Sequence, residues 1–133
     1  MFGFRPAKPD GRIDTLIGAT ARVDGDIHFT GGLRIDGIVK GSVVAEDAST
    51  VIVSEKAAVE GEIRAGHAVI NGKVVGPVHG AESVELQAKA SVNGDVHYKS
   101  LEVQPGAVVQ GRLVRAVEAR VEKVVPLKPG TGD

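Results

Sequence analysis

Three of the four histidines fall at one place in a recurring tetrapeptide: Gly25-Asp26-Ile27-His28, Gly76-Pro77-Val78-His79 and Gly94-Asp95-Val96-His97. Imidazole is a frequent metal ligand and a ready general base near neutral pH. A column of histidines is therefore the first place to look for chemistry. Two pairs of acids, Asp24/Asp26 and Glu60/Glu62, have the i, i+2 spacing that puts both side chains on one face of a strand. That is one way to build a general acid/base pair. Whether either set converges depends on the elements that carry it.

Those elements are repeats. A small residue, Val, Gly and an aliphatic, each separated by one free position, recur six times: Ala21-x-Val23-x-Gly25-x-Ile27, then from Gly37, Ala57, Gly72, Ala90 and Ala107. The central glycines are 16, 20, 15, 18 and 17 residues apart. Apolar residues on alternate positions, rich in Val and Ile, are the signature of a strand with one buried face. A second apolar pair precedes each copy: Thr15/Ile17, Leu33/Ile35, Val51/Val53, Ala68/Ile70, Val84/Leu86 and Leu101/Val103. Two extra residues intervene in copies 1, 3, 5 and 6, and an even insertion keeps the inside/outside phase. A third stretch begins about four residues past each Gly, in the column Phe29, Ala45, Ala65, Gly80, Tyr98 and Arg115. Arg115 does not suit an inward position, so the solenoid is expected to end there. Units of about 17 residues in three short strands predict an all-β, single-stranded parallel β-helix over 14–115. At about 4.8 Å per coil, six coils make a rod of roughly 29 Å.

This architecture disperses the candidate chemistry. His79 and His97 lie on adjacent coils, roughly 5 Å apart, but His28 is three coils from His79, roughly 14 Å away. One metal held at about 2.0–2.1 Å from each nitrogen cannot reach all three. The acids occupy outward positions that elsewhere hold Lys and Ser, as a solvated face would. No P-loop, dinucleotide-binding glycine motif or nucleophile elbow is present in the sequence. The expectation is no catalytic, cofactor or metal residue and no enzyme. The alternative is a β-helical enzyme or metal-binding trimer of the hexapeptide acyltransferase or carbonic anhydrase kind, against which the spacings of 15 to 20 residues speak.

Composition bounds the remainder. With 16 basic and 17 acidic residues the 133-residue chain has a formal net charge of −1, which provides no global field for nucleic acid. There is no cysteine, no stretch of transmembrane length and no signal-peptide core, in keeping with the cytoplasm. Residues 1–13 read as a flexible tail. Its Phe2 and Phe4, followed by Arg5 and Lys8, suit a membrane-contact peptide. Residues 116–133 read as a partly disordered extension whose first part, to Val125, is consistent with either a helix face or a partial seventh coil. A β-helix also exposes a strand edge at each end, which templates pairing with another chain unless it is capped. The expected polymer interface is Thr15 and Ile17 at one end, and Leu101, Val103, Val108, Val109 and Leu113 at the other. Contacts between like ends give a filament without polarity.

The stretches VEGEIRAGHAVINGKVVGPV, SVELQAKASVNGDV and LEVQPGAVVQGRL, with the chain length and the MF start, resemble the bactofilins, bacterial cytoskeletal proteins. The resemblance covers about residues 1–115. It implies a right-handed helix and nucleotide-independent assembly into non-polar filaments. It further implies membrane contact through the tail and a scaffold for cell-wall-modifying enzymes at the inner face of the cytoplasmic membrane. Many members carry Phe in the last coil, where this chain holds Val108 and Val109.

Overall fold

The computed structural model describes residues 13–46 and 48–115. Among these described residues sixteen strands follow one another in six coils. Coil one holds β1 (Thr15–Ile17), β2 (Arg22–Asp24) and β3 (Ile27–Phe29), and coil two holds β4 (Gly32–Ile35), β5 (Ile38–Lys40) and β6 (Val43–Ala45). Coil three starts with β7 (Thr50–Val53) and β8 (Ala58–Glu60); β9 (Ile63–Ile70) closes it and runs on around the corner into coil four. After β10 (Lys73–Val75), β11 (Val78–Leu86) joins coils four and five in the same way. The remainder are β12 (Ser91–Asn93), β13 (Val96–Tyr98), β14 (Leu101–Val103), β15 (Val108–Gln110) and β16 (Leu113–Arg115).

Every pairing joins equivalent strands of neighbouring coils in parallel, so three flat faces run the length of the rod. The first face is β1-β4-β7-β9-β11-β14, the second β2-β5-β8-β10-β12-β15 and the third β3-β6-β9-β11-β13-β16. The expected parallel β-helix is thus the observed fold. In-register pairing turns the sequence repeat into columns: Val39, Val59, Val74, Val92 and Val109 stack directly. On the first and third faces the middle residue of a strand points out; on the second face the middle residue points in. Leu33, Ile35, Val51, Val53, Ile63 and Ile70, each with no exposure at all, pack with that column in the core. Each such side chain contributes about 1.5–3 kcal/mol of burial, in layers too thin to need large aromatics.

The corners explain the details of the repeat. Between the first and second faces, the four-residue corners close β-turns, with the amides of Ala21, Ala57, Ala90 and Ala107 donating to the carbonyls of Gly18, Ser54, Gln87 and Gln104. The two-residue corners, Asp36-Gly37 and Asn71-Gly72, have no such turn. There a Cβ on Gly37 would overlap the carbonyl oxygens of Gly18 and Ala21. This is why the small residue is Gly in the short copies and Ala in the long ones. Between the second and third faces the central glycines stack on one another. A Cβ on Gly61 would strike the carbonyl of Gly41, and its φ of 156° lies outside the comfortable range of L residues.

The even-insertion rule stops at the third corner. From the column of Phe29, Ala45, Ala65, Gly80 and Tyr98 to the next inward column (Leu33, Val51, Ala68, Val84, Leu101), the loops hold three, five, two, three and two residues. Between β9 and β11 the register slips by one residue at Gly80/Ser83, a bulge that absorbs the odd residue. The odd glycine spacings originate here.

Candidate functional site

The histidines do not converge. On β11 and β13 the rings of His79 and His97 stack, with centroids 4.4 Å apart and planes 10° from parallel. His79 Nε2 lies 3.0 Å from Glu62 Oε2, which also takes Arg64 Nε at 2.8 Å. Partial burial holds the His79 imidazole below its ordinary pKa, with Arg64 and His97 pushing the same way and Glu62 opposing. His28 is three coils off along the column His28, Val44, Arg64, His79, as the spacing predicts. The fourth histidine, His67, contacts Ser83 Oγ through Nδ1 at 2.8 Å on a different corner. Among the described residues no group of three or more His, Cys, Asp or Glu is placed to hold a metal ion.

The acids are occupied structurally. Asp24 pairs with Arg22 on its own strand at 3.3 Å. Asp26 Oδ1 accepts the amide of Ser42 at 2.9 Å, one coil on. Asp95 Oδ1 accepts the amide of Arg112, also at 2.9 Å, and Asn71 Oδ1 does the same for Lys89. Reading the sequence for catalysis misses this role. The signal for it is Asp directly after the repeat glycine, in Gly25-Asp26 and Gly94-Asp95.

These bonds set a pH dependence. The amide and side chain of Arg112 hold Asp95 below the usual carboxylate range; the Ser54 hydroxyl, then Arg34, do the same for Asp36. A carboxylate with a depressed folded pKa contributes stability above about pH 4, and that contribution is lost as pH falls through the folded value. For His79 the folded chain protonates later than the unfolded one, so stability declines as pH drops below about 6.5 and then levels off. The melting temperature should therefore fall in two stages on acidification, and Asp95→Asn should weaken the lower one. A single transition, or a lower stage untouched by Asp95→Asn, would contradict these assignments.

What sets the end coils apart is their edges. Among the described residues, β1, β2 and β3 each pair on one side only, as do β14, β15 and β16 at the other end. Core columns emerge there: Leu86 and Val96 are fully buried, while Val103 and Leu113, their neighbours in the last coil, are 49% and 48% exposed. Leu101 and Val109 are half-buried. At the first coil Ile17 is nearly covered, Thr15 is exposed, and Val23, Ile27 and Phe29 pack only partly on the core. Val108 lies on the outward column with Ser91, beside the end rather than across it. The exposed Leu16 is an end residue that the alternation alone does not single out. Phe2, Phe4, Arg5, Lys8 and the extension after Arg115 lie outside the described residues.

Among the described residues the core is filled, the polar groups are dispersed and the strands of both end coils pair on one side only. The chain belongs to the bactofilin family: the model of that family, described as polymer-forming cytoskeletal, matches residues 15–114. Bactofilin BacO of Myxococcus xanthus (strain DK1622) is 29% identical over 100 residues, 75% of this chain and 78% of that one. Bactofilin BacP of the same organism is 27% identical over 100 residues, of which the match covers 41% of BacP. No solved structure matches the chain. The protein is accordingly a polymer-forming cytoskeletal protein.

Proposed function

We propose that this chain assembles end to end, without nucleotide, into non-polar filaments that lie on the inner face of the cytoplasmic membrane and scaffold cell-wall-modifying enzymes. The observation that carries the proposal is the pair of end coils, where among the described residues six strands pair on one side only and core side chains are half exposed. Burying such edges against a second copy is favoured by both ladder hydrogen bonds and apolar contact. Electron microscopy of the purified chain in nucleotide-free buffer tests the assembly. Filaments are expected; a discrete trimer holding zinc would instead establish the β-helical enzyme reading.

Membrane attachment rests on the tail. Two inserted Phe side chains give at most about 1.5–3 kcal/mol each, and each cation near an anionic leaflet adds about 1 kcal/mol. One copy binds weakly and reversibly, whereas a filament displaying many tails binds through effective concentration. Phe2→Arg should release the protein from anionic liposomes in a flotation assay and leave filaments intact. Loss of filaments in that variant would count against a separate membrane role for the tail.

A further inference from the structure

We infer that the first coil pairs with the first coil of a second copy about a two-fold axis normal to the second face, running through Val23. This rests on the end-to-end reading above and specifies it. A two-fold axis perpendicular to the rod reverses strand direction, so the edge strands of the two copies meet antiparallel. Residues opposite each other in such a pair must point to the same side. In β1 and β3 the outer residues face in and the middle one faces out; in β2 the pattern is inverted, with only Val23 facing in. An axis normal to the first or third face sets β2 against β3 or β1, out of phase by one residue. Only the axis normal to the second face keeps every inward column in phase. It sets β2 against β2 of the second copy, and β1 against its β3.

The resulting register is chemically self-complementary. Ile17 meets Ile27 of the second copy, Thr15 meets its Phe29, and Val23 meets Val23, each continuing a core column. On the outside, Arg22 faces Asp24 of the second copy and Asp24 faces its Arg22. Both are well exposed and pair with each other within the strand at 3.3 Å, so across the interface the four charges form one alternating cluster. Opposite charges directly across an antiparallel pair are favourable and like charges are not. The last coil has no counterpart, since the same positions there hold Val108 and Gln110. The charges therefore make first coil to first coil the matched pairing and separate it from the mixed one.

The test uses Val109→Arg to block the other end, so that any remaining association reports the first coil. Wild type should form filaments, and V109R a dimer by sedimentation. Adding R22D or D24R places like charges opposite each other twice per interface. Each should weaken the dimer at least tenfold, the effect of roughly 1.4 kcal/mol. Mixing the two charge variants should restore a heterodimer, because their clusters are then complementary; a pair acting only within one strand cannot do this. The chain has no cysteine, so L16C in one copy and H28C in the other should give a disulfide-linked heterodimer in preference to homodimers. A wild-type chain that never assembles sinks the end-to-end reading itself. A monomeric V109R, or a V109R dimer indifferent to both charge changes, overturns the inference while leaving that reading in place.

Discussion

Val109→Arg should stop filament growth while leaving the β-sheet circular dichroism signal in place. Val109 closes the column of Val39, Val59, Val74 and Val92, all of which are at most 1% exposed. Val109 itself is only half-buried, because no coil among the described residues covers it. In the free chain an arginine there can turn its guanidinium past the edge of β15 into water and lose little. In an end-to-end contact between like ends the same group is enclosed, and two-fold symmetry encloses a second copy of it in that interface. Burying an unpaired charge costs several kcal/mol per ion, and two are buried at once. At about 1.4 kcal/mol per tenfold, the affinity of that end should drop by a factor of a thousand or more. Sedimentation and electron microscopy should show short species in place of filaments. Val59→Arg is the control from the same column. It sits in the third coil with no exposure, so it should abolish folding rather than assembly. Filaments of normal length from V109R would mean that the last coil is not a contact surface.

Much of this was legible in the sequence, for a physical reason. A stacked fold with in-register pairing repeats each local environment, so the period and alternation of Ala21-x-Val23-x-Gly25-x-Ile27 already define the core, the outward positions and the distance from His28 to His79. The same alternation that points Val109 inward points Val108 outward, which is where the structure places it. Less legible was whatever depends on the coil above or below. The glycines look like turn residues in one copy. Their requirement comes largely from the carbonyl of the preceding coil, which no single repeat contains. The third corner has no motif because its loops vary from two to five residues and share no turn, and one of them carries the bulge at Gly80/Ser83. The carboxylates of Asp26 and Asp95 likewise read as solvated acids until the amide they accept, one coil on, is in view.

Gly61→Ala should destabilise the rod far more than Gly25→Ala, although both replace the same residue of the repeat. Both glycines have positive φ, 156° and 133°, so both substitutions carry a backbone cost of roughly 1–3 kcal/mol. They differ in what the new methyl meets. At Gly25 nothing lies within 4 Å, because there is no earlier coil among the described residues. At Gly61 the methyl strikes the carbonyl of Gly41. That carbonyl belongs to the backbone and cannot rotate away, and the coil spacing is fixed on two sides. The amide of Gly41 donates to Glu60 and that of Gly61 to Val75. Relieving the clash requires breaking these bonds or opening the stack at that corner. Overpacking of this kind adds about 1–3 kcal/mol, bringing the total for Gly61→Ala to about 2–6 kcal/mol. Urea unfolding of both variants in the V109R background separates the two contributions without interference from filament growth. Equal losses at the two positions would show that φ alone demands glycine, and that the stacked carbonyls do not fix the spacing of the coils.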